Sequence, residues 1–185
     1  MRKIIYLSLI TILYSSLFAW TSSNTGLLYE MDNLCILSDS ISYNSGSDLY
    51  DITCNITILQ NDTLKLNPGE TAKFYQTGID IYGTMKALGE YDNKITIGDP
   101  EHSLTSFGER VDGIEFLETS QMGESVLQHC IINGVQRDPG FGGIICKDSS
   151  PIIDHCDIKN IPMHLVETGG VVGVICKGTS YPIIS

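Results

Sequence analysis

Two histidines recur at a spacing that could bring their side chains together around a metal ion. His129 and His155 lie 26 residues apart, within the matching segments 126–132 and 152–158. Stacked imidazoles are able to share a zinc ion, but zinc sites in proteins generally use three or four protein ligands. No third ligand accompanies this pair. We therefore interpret His129 and His155 as equivalent turn residues, and the sequence predicts neither a metal site nor a cofactor.

Acidic residues are the other candidates for chemistry. Five of them could supply calcium ligands or an acid–base pair, namely Glu115, Glu118, Asp148, Asp154 and Asp157. No neighbouring aspartates share one strand and no arginine stands in register with them, so we predict no catalytic residue. Lys147 and Lys177 recur after equivalent segments, where solvated turn charges are favoured over a row of ligand contacts.

Sequence motifs exclude several enzyme classes. The chain has no Walker loop, no dinucleotide-binding glycine fingerprint, no serine nucleophile elbow and no Cys-x-x-Cys pair. Asn55 and Asn61 both fit the N-glycosylation pattern, which we interpret as a coincidence in this chain.

The elements that must position the candidate residues repeat along the chain. Residues 143–153 return as 173–184 with one insertion, a period of 30 residues, and the segments around the two histidines advance with a period of 26. Fixed periods of this size are typical of solenoids, in which each unit buries its apolar face against its neighbours. Isoleucine occurs 25 times against 3 alanines, and 18 glycines punctuate the chain, so we predict strands and turns rather than helices.

Strand periodicity assigns the repeated residues to two faces. Side chains alternate between faces along a strand, so equivalent residues of successive repeats share a face. The predicted inward column consists of Phe116, Cys146 and Cys176. The predicted outward row consists of Glu115, Ile145 and Ile175. Two of these three outward residues are apolar, which would line a polysaccharide cleft poorly.

The N-terminus has the features of a secretory signal peptide. Two basic residues precede an apolar stretch of about 14 residues, short of the roughly 20 that a membrane-spanning helix needs, and polar residues follow. We predict a signal peptide over residues 1–19 with cleavage after Ala19. We therefore expect the mature product to be exported and either secreted or held at the cell surface. It would have no membrane span after cleavage.

Six cysteines in an exported chain first suggest disulfides. For Cys35 and Cys54 a bridge and a pair of free thiols both stay open. Cys130 with Cys156, and Cys146 with Cys176, occupy equivalent repeat positions, and parallel side chains usually hold their Cβ atoms too far apart for an unstrained bridge. We therefore predict that these two pairs form buried ladders of free thiols.

Length, composition and charge limit the partners. The 185 residues suit one domain, which we divide into the signal peptide, a segment of uncertain order over 20–48, and a repeat domain over 49–185. Acidic residues outnumber basic residues by 22 to 11, for a net charge of −11. A chain with this balance lacks the cationic surface that nucleic acids and anionic membranes require.

Residues 49–185 resemble secreted bacterial right-handed parallel β-helix proteins of the pectin-lyase-like superfamily. The resemblance rests on two stretches of sequence. The first comprises residues 64–70 and the following segments 79–89 and 95–97. The second is the repeat 149–158, where the family commonly has Asn at the position of His155. It implies an all-β, right-handed parallel β-helix in which polar turn side chains stack on one another. Because the chain stops within a repeat at Ser185, we predict that these are the N-terminal coils of a longer protein.

That superfamily includes pectin-active lyases and hydrolases as well as adhesins, so the resemblance specifies fold better than function. We predict an exported, non-catalytic β-helix that serves as a scaffold or as a binding surface for polysaccharide or a cell-surface component. The alternative is a carbohydrate-active enzyme of the pectin-lyase type whose catalytic coils lie beyond residue 185.

Overall fold

The computed structural model describes residues 19–100, 112–118, 124–134, 142–161 and 172–185. Within these ranges the chain forms one helix, α1 (Met31–Leu37), and eighteen strands. The strands of the first half are β1 (Ala19–Thr21), β2 (Leu28–Glu30), β3 (Ile41–Asn44), β4 (Leu49–Ile52), β5 (Asn55–Ile58), β6 (Thr63–Leu66), β7 (Thr71–Phe74), β8 (Ile79–Ile81), β9 (Thr84–Leu88) and β10 (Ile95–Gly98). Those of the second half are β11 (Ile114–Phe116), β12 (Val126–Gln128), β13 (Cys130–Asn133), β14 (Gly142–Lys147), β15 (Ile152–Asp154), β16 (Asp157–Lys159), β17 (Val172–Lys177) and β18 (Ile183–Ile184).

The strands form three sheets of six strands each. The first sheet has the order β1-β5-β8-β11-β14-β17, the second β2-β6-β9-β12-β15-β18, and the third β3-β4-β7-β10-β13-β16. From β5 onwards the chain visits the first, second and third sheets in turn, and each circuit forms one coil. Among these eighteen strands, every pairing is parallel except that of β3 with β4. The β-solenoid predicted from the repeats is confirmed, as is the all-β, parallel β-helix that the resemblance implies.

Alternating apolar residues build the interior of the helix. In the first sheet, Phe116 is in register with Cys146, and Cys146 with Cys176, which confirms the predicted inward column. The column continues in the other direction through Ile81 and Ile58, both fully buried. Burial of one such aliphatic side chain stabilises a fold by about 1.5–3 kcal/mol, so successive coils stabilise one another through these columns.

Residues 19–48, which show no periodicity in the sequence, close the first end of the β-helix. Helix α1 buries Met31 and Leu34 within the same apolar cluster as the coil interiors. The Asn33 side chain accepts a hydrogen bond from the backbone N–H of Glu30 at 3.2 Å and so supports the start of the helix. Strand β3 then runs antiparallel to β4 at the edge of the third sheet.

A buried carboxylate fastens this first segment to the coils. Asp62, which is 1% exposed, accepts hydrogen bonds from the backbone N–H groups of Asn24, Thr25, Gly26 and Leu27 at 2.5–3.0 Å. Burial of the carboxylate opposes ionisation, but these bonds and the Ser22 hydroxyl outweigh it, and the pKa of Asp62 lies below its ordinary value. Asp62 therefore connects two segments that are about 36 residues apart in the sequence.

Candidate functional site

The two histidines lie where their spacing predicts. His129 and His155 occupy equivalent turns between the second and third sheets, each directly after a strand of the second sheet, and their ring centroids are 5.1 Å apart. Both have left-handed backbone conformations, with φ of 47° and 49°. The His129 N–H donates to the Asp154 carbonyl at 3.0 Å, as in a regular coil-to-coil ladder. Among the residues that the structure describes, no group of three or more metal-ligating side chains comes together.

Three of the acidic candidates, Asp154, Asp157 and Asp148, hold turns in place. Asp154 accepts hydrogen bonds from the Ser185 hydroxyl and the Gln128 amide and contacts His155 at 2.6 Å, and these partners lower its pKa. Asp157 forms an ion pair with Lys94 at 2.7 Å.

Asp148 accepts hydrogen bonds from the backbone N–H and the hydroxyl of Thr179 in the next coil, and these donors lower the pKa of Asp148. Glu118 is exposed after β11. Lys147 and Lys177 are register partners, and both are exposed. Asn55 accepts a hydrogen bond from the Gly78 N–H at 2.9 Å.

The outer face of the first sheet carries a pair of carboxylates that sequence reasoning missed. Asp80 and Glu115 are register partners on neighbouring strands. The sequence contains the evidence for this pair, because segments 78–81 and 113–116 match each other. Their separation of 35 residues differs from the period of 30, so the match was not recognised as a repeat. The predicted outward row of Glu115, Ile145 and Ile175 lies in register, but Ile145 is only 1% exposed. That part of the row is therefore covered rather than open to solvent.

An open groove crosses the outer face of the second sheet. It has a volume of about 490 Å³ and is lined by Thr63, Thr84, Lys86, Leu88, Glu124 and Val126. Strand register places Thr63 beside Thr84, and Lys86 beside Val126. The Thr84 hydroxyl donates to a Glu124 carboxylate oxygen at 3.4 Å. We name this the second-sheet groove.

The second-sheet groove combines polar groups with aliphatic surface. Two threonine hydroxyls both donate and accept hydrogen bonds, Lys86 donates, and Glu124 accepts. Leu88 is 41% exposed and adds an apolar contact. At the border of the groove, Lys65 forms an ion pair with Glu30 at 2.8 Å, so its charge is already balanced. Closely spaced hydrogen-bonding groups beside aliphatic side chains are suited to a polyhydroxylated ligand.

All six cysteines are free thiols in the structure, Cys35 and Cys54 included. Burial, together with the neighbouring Cys176, raises the pKa of the Cys146 thiol to about 12. Cys130 and Cys146 are fully buried, as predicted. The prediction that both ladders are buried throughout is wrong for Cys176, which is exposed because β17 is an edge strand, and Cys156 is half-buried for the same reason on β16.

Comparison of the chain with protein-family models, curated proteins and solved structures finds no match. The fold and the site geometry are therefore the basis for any functional conclusion. In the described part of the chain, no helix has the length and apolar character needed to cross a membrane.

Proposed function

We propose that this chain is part of an exported β-helix protein, related to the pectin-lyase-like superfamily, which binds polysaccharide without cleaving it. The single observation that carries the proposal is the second-sheet groove, whose lining combines hydroxyl, ammonium and carboxylate groups with aliphatic side chains. A groove that crosses parallel strands extends over several coils, which suits a ligand that is itself an extended chain.

The charges favour a neutral polysaccharide over an acidic one. The groove lining contains one cation, Lys86, and one carboxylate, Glu124, so its formal charge is balanced. The whole chain carries a net charge of −11, which repels polyanions at low ionic strength. A neutral glycan meets no such repulsion and makes the same hydrogen bonds to the threonine and lysine side chains.

The binding test uses the full chain and a panel of neutral polysaccharides in affinity electrophoresis, with Lys86→Met and Thr84→Val as groove variants. Each variant removes hydrogen-bonding groups and keeps most of the side-chain volume, so we expect each to weaken binding by about tenfold. Lys147→Met changes an exposed lysine outside the groove and is expected to bind like the wild type. Equal binding by Lys86→Met and the wild type would contradict the assignment of the groove.

The second candidate function is that of a carbohydrate-active enzyme, and the Asp80–Glu115 pair is the observation that favours it. Enzymes on this fold place carboxylates on the outward face of one strand stack, and these two residues are register partners on such a face. Incubation with acidic polysaccharides tests it through the release of unsaturated or reducing ends. Activity that disappears in Asp80→Asn and Glu115→Gln would replace the non-catalytic proposal with this one.

Export is tested separately from binding. Residues 1–18 of the predicted leader lie outside the described residues. After cleavage following Ala19, Trp20 becomes the first residue, and its ring packs edge-on against Tyr29 with a centroid distance of 5.1 Å. We expect N-terminal sequencing of the exported product to begin at Trp20, and a product that stays in the cytoplasm with Met1 intact would contradict export.

A further inference from the structure

Aromatic side chains from successive coils lie next to one another at the turns between the second and third sheets. Tyr91 packs edge-on against His129 with a centroid distance of 6.4 Å, and the His129 and His155 rings are 5.1 Å apart. We name these three residues the aromatic row. Tyr91 is 84% exposed. Because few protein atoms cover a side chain this exposed, at least one face of the Tyr91 ring is open to solvent.

The loop that carries this tyrosine is held in place by backbone contacts. It consists of residues 89–94, between β9 and β10. The backbone N–H and C=O groups of Glu90 and Asn93 exchange hydrogen bonds at 3.1 and 3.2 Å, which closes the loop around its two central residues. Gly89 lies against the His129 carbonyl, so closely that a Cβ atom there would be 2.5 Å from the oxygen. The loop is therefore ordered before a ligand binds, which lowers the entropic cost of binding.

The aromatic row borders the second-sheet groove. Leu88 lines the groove and directly precedes the loop of Tyr91. Gln128, the register partner of Leu88, directly precedes His129. A ligand that extends past Leu88 therefore arrives at the turn where Tyr91 and His129 lie.

This region belongs to the body of the β-helix rather than to either end. Strand β9 lies between β6 and β12, and β12 lies between β9 and β15. The exposure of the Tyr91 ring therefore results from the loop that carries it, because neighbouring coils lie on both sides.

An open aromatic face beside hydrogen-bonding groups suits one kind of neutral sugar. The face of an aromatic ring carries partial negative charge, which attracts the weakly positive C–H groups of a sugar ring. A β-linked pyranose with equatorial hydroxyls presents only C–H groups on its two faces, whereas an axial hydroxyl or an axial glycosidic bond interrupts them. The hydroxyls at the edge of the same sugar are able to hydrogen-bond with an imidazole nitrogen.

We infer that Tyr91 and His129 form a further subsite of the polysaccharide site, and that the ligand is a β-linked neutral chain of pyranose units with equatorial hydroxyls. This inference rests on the proposed function and specifies its ligand class. One sugar unit stacks on the open face of Tyr91 and directs hydroxyls to His129, while adjacent units of the same chain occupy the second-sheet groove. His155 extends the aromatic row by one more coil.

The test measures binding of the full chain to hydroxyethyl cellulose, a soluble β-linked glucan, and to soluble starch, an α-linked glucan, by affinity electrophoresis. We expect the β-linked chain to bind at least about tenfold more tightly. Tyr91→Ala removes the aromatic ring and should weaken binding to hydroxyethyl cellulose about tenfold. Tyr91→Phe restores the ring and should recover most of that loss. Tyr181→Ala, which removes an exposed tyrosine outside the aromatic row, is the matched control and should bind like the wild type.

Circular dichroism establishes that each variant is folded before binding is measured. If Tyr91→Ala binds as the wild type does while Thr84→Val binds more weakly, the groove assignment stands and the inference is overturned. If only Tyr91→Ala binds more weakly, the contact at Tyr91 stands and the groove assignment fails.

Three other results also overturn the inference. The first is a preference for soluble starch, and the second is an equal loss of binding in Tyr181→Ala and Tyr91→Ala. The third is a lack of binding to hydroxyethyl cellulose by a chain that binds another neutral polysaccharide through the groove.

Discussion

Helix α1 and strand β3 cover the interior at one end of the β-helix, whereas at the other end the inward side chains of β17 and β18 meet solvent. Leu34 of the covered end is fully buried. Ile153 and Ile184 are neighbours in one inward column of the second sheet, yet they are 2% and 60% exposed. The same residue type in the same repeat position is thus buried or exposed according to whether another layer lies over it.

The largest expected effect is on the free energy of unfolding when one aliphatic side chain is truncated at each end of the β-helix. Leu34→Ala leaves a cavity within a closed interior and should lower the free energy of unfolding by about 3 kcal/mol. Ile184→Ala removes a side chain that is already 60% exposed and should cost less than about 1 kcal/mol. Urea unfolding followed by circular dichroism measures both. Similar losses for the two variants would show that the ends do not differ in this way.

The carboxylates that connect neighbouring turns provide the next contrast. Asp62→Ala leaves four backbone N–H groups of residues 24–27 without their acceptor, and we expect a loss of about 2 kcal/mol. Asp148→Ala removes the acceptor for Thr179 near the opposite end, where the side chains are more exposed, and should have the smaller effect. A larger shift in the urea midpoint for Asp148→Ala would contradict the greater importance of the covered end.

The lowered pKa of Asp62 gives that connection a pH dependence. Since the folded-state pKa lies below the unfolded value of about 3.9, the ionised carboxylate stabilises the fold above roughly pH 4. This contribution is lost as the pH falls through the folded-state pKa. We expect the wild type to lose stability more steeply below pH 4 than Asp62→Ala does. Parallel curves for the two proteins would show that the pKa of Asp62 does not differ between the folded and unfolded states.

The smallest expected effect concerns the left-handed turn at His155. Asn adopts φ near 49° readily, so His155→Asn should change the free energy of unfolding by less than about 0.5 kcal/mol. His155→Val places a β-branched residue in the same conformation and should cost about 1–2 kcal/mol. Thermal unfolding separates the two variants. If both were equally destabilising, the imidazole rather than the backbone conformation would be the important feature.

The sequence periods predicted those parts of the fold in which equivalent residues of successive coils stack on one another. The column of Phe116, Cys146 and Cys176 and the stacking of His129 on His155 follow from strand alternation and fixed spacing. The Asp80–Glu115 pair escaped prediction because its spacing departs from the main period. The groove escaped because its lining comes from residues 63–126, and only strand register brings these residues together.

The sequence by itself determined that the chain winds into stacked β-coils and which side chains point into them, because alternation and repeat length are local properties. Only the tertiary structure decided which of those side chains are covered, how Asp62 holds the unpatterned first segment, and where a groove opens on the second sheet. These features depend on contacts between neighbouring coils and, for Asp62, between segments about 36 residues apart. The sequence separation of two segments does not specify which of their side chains meet.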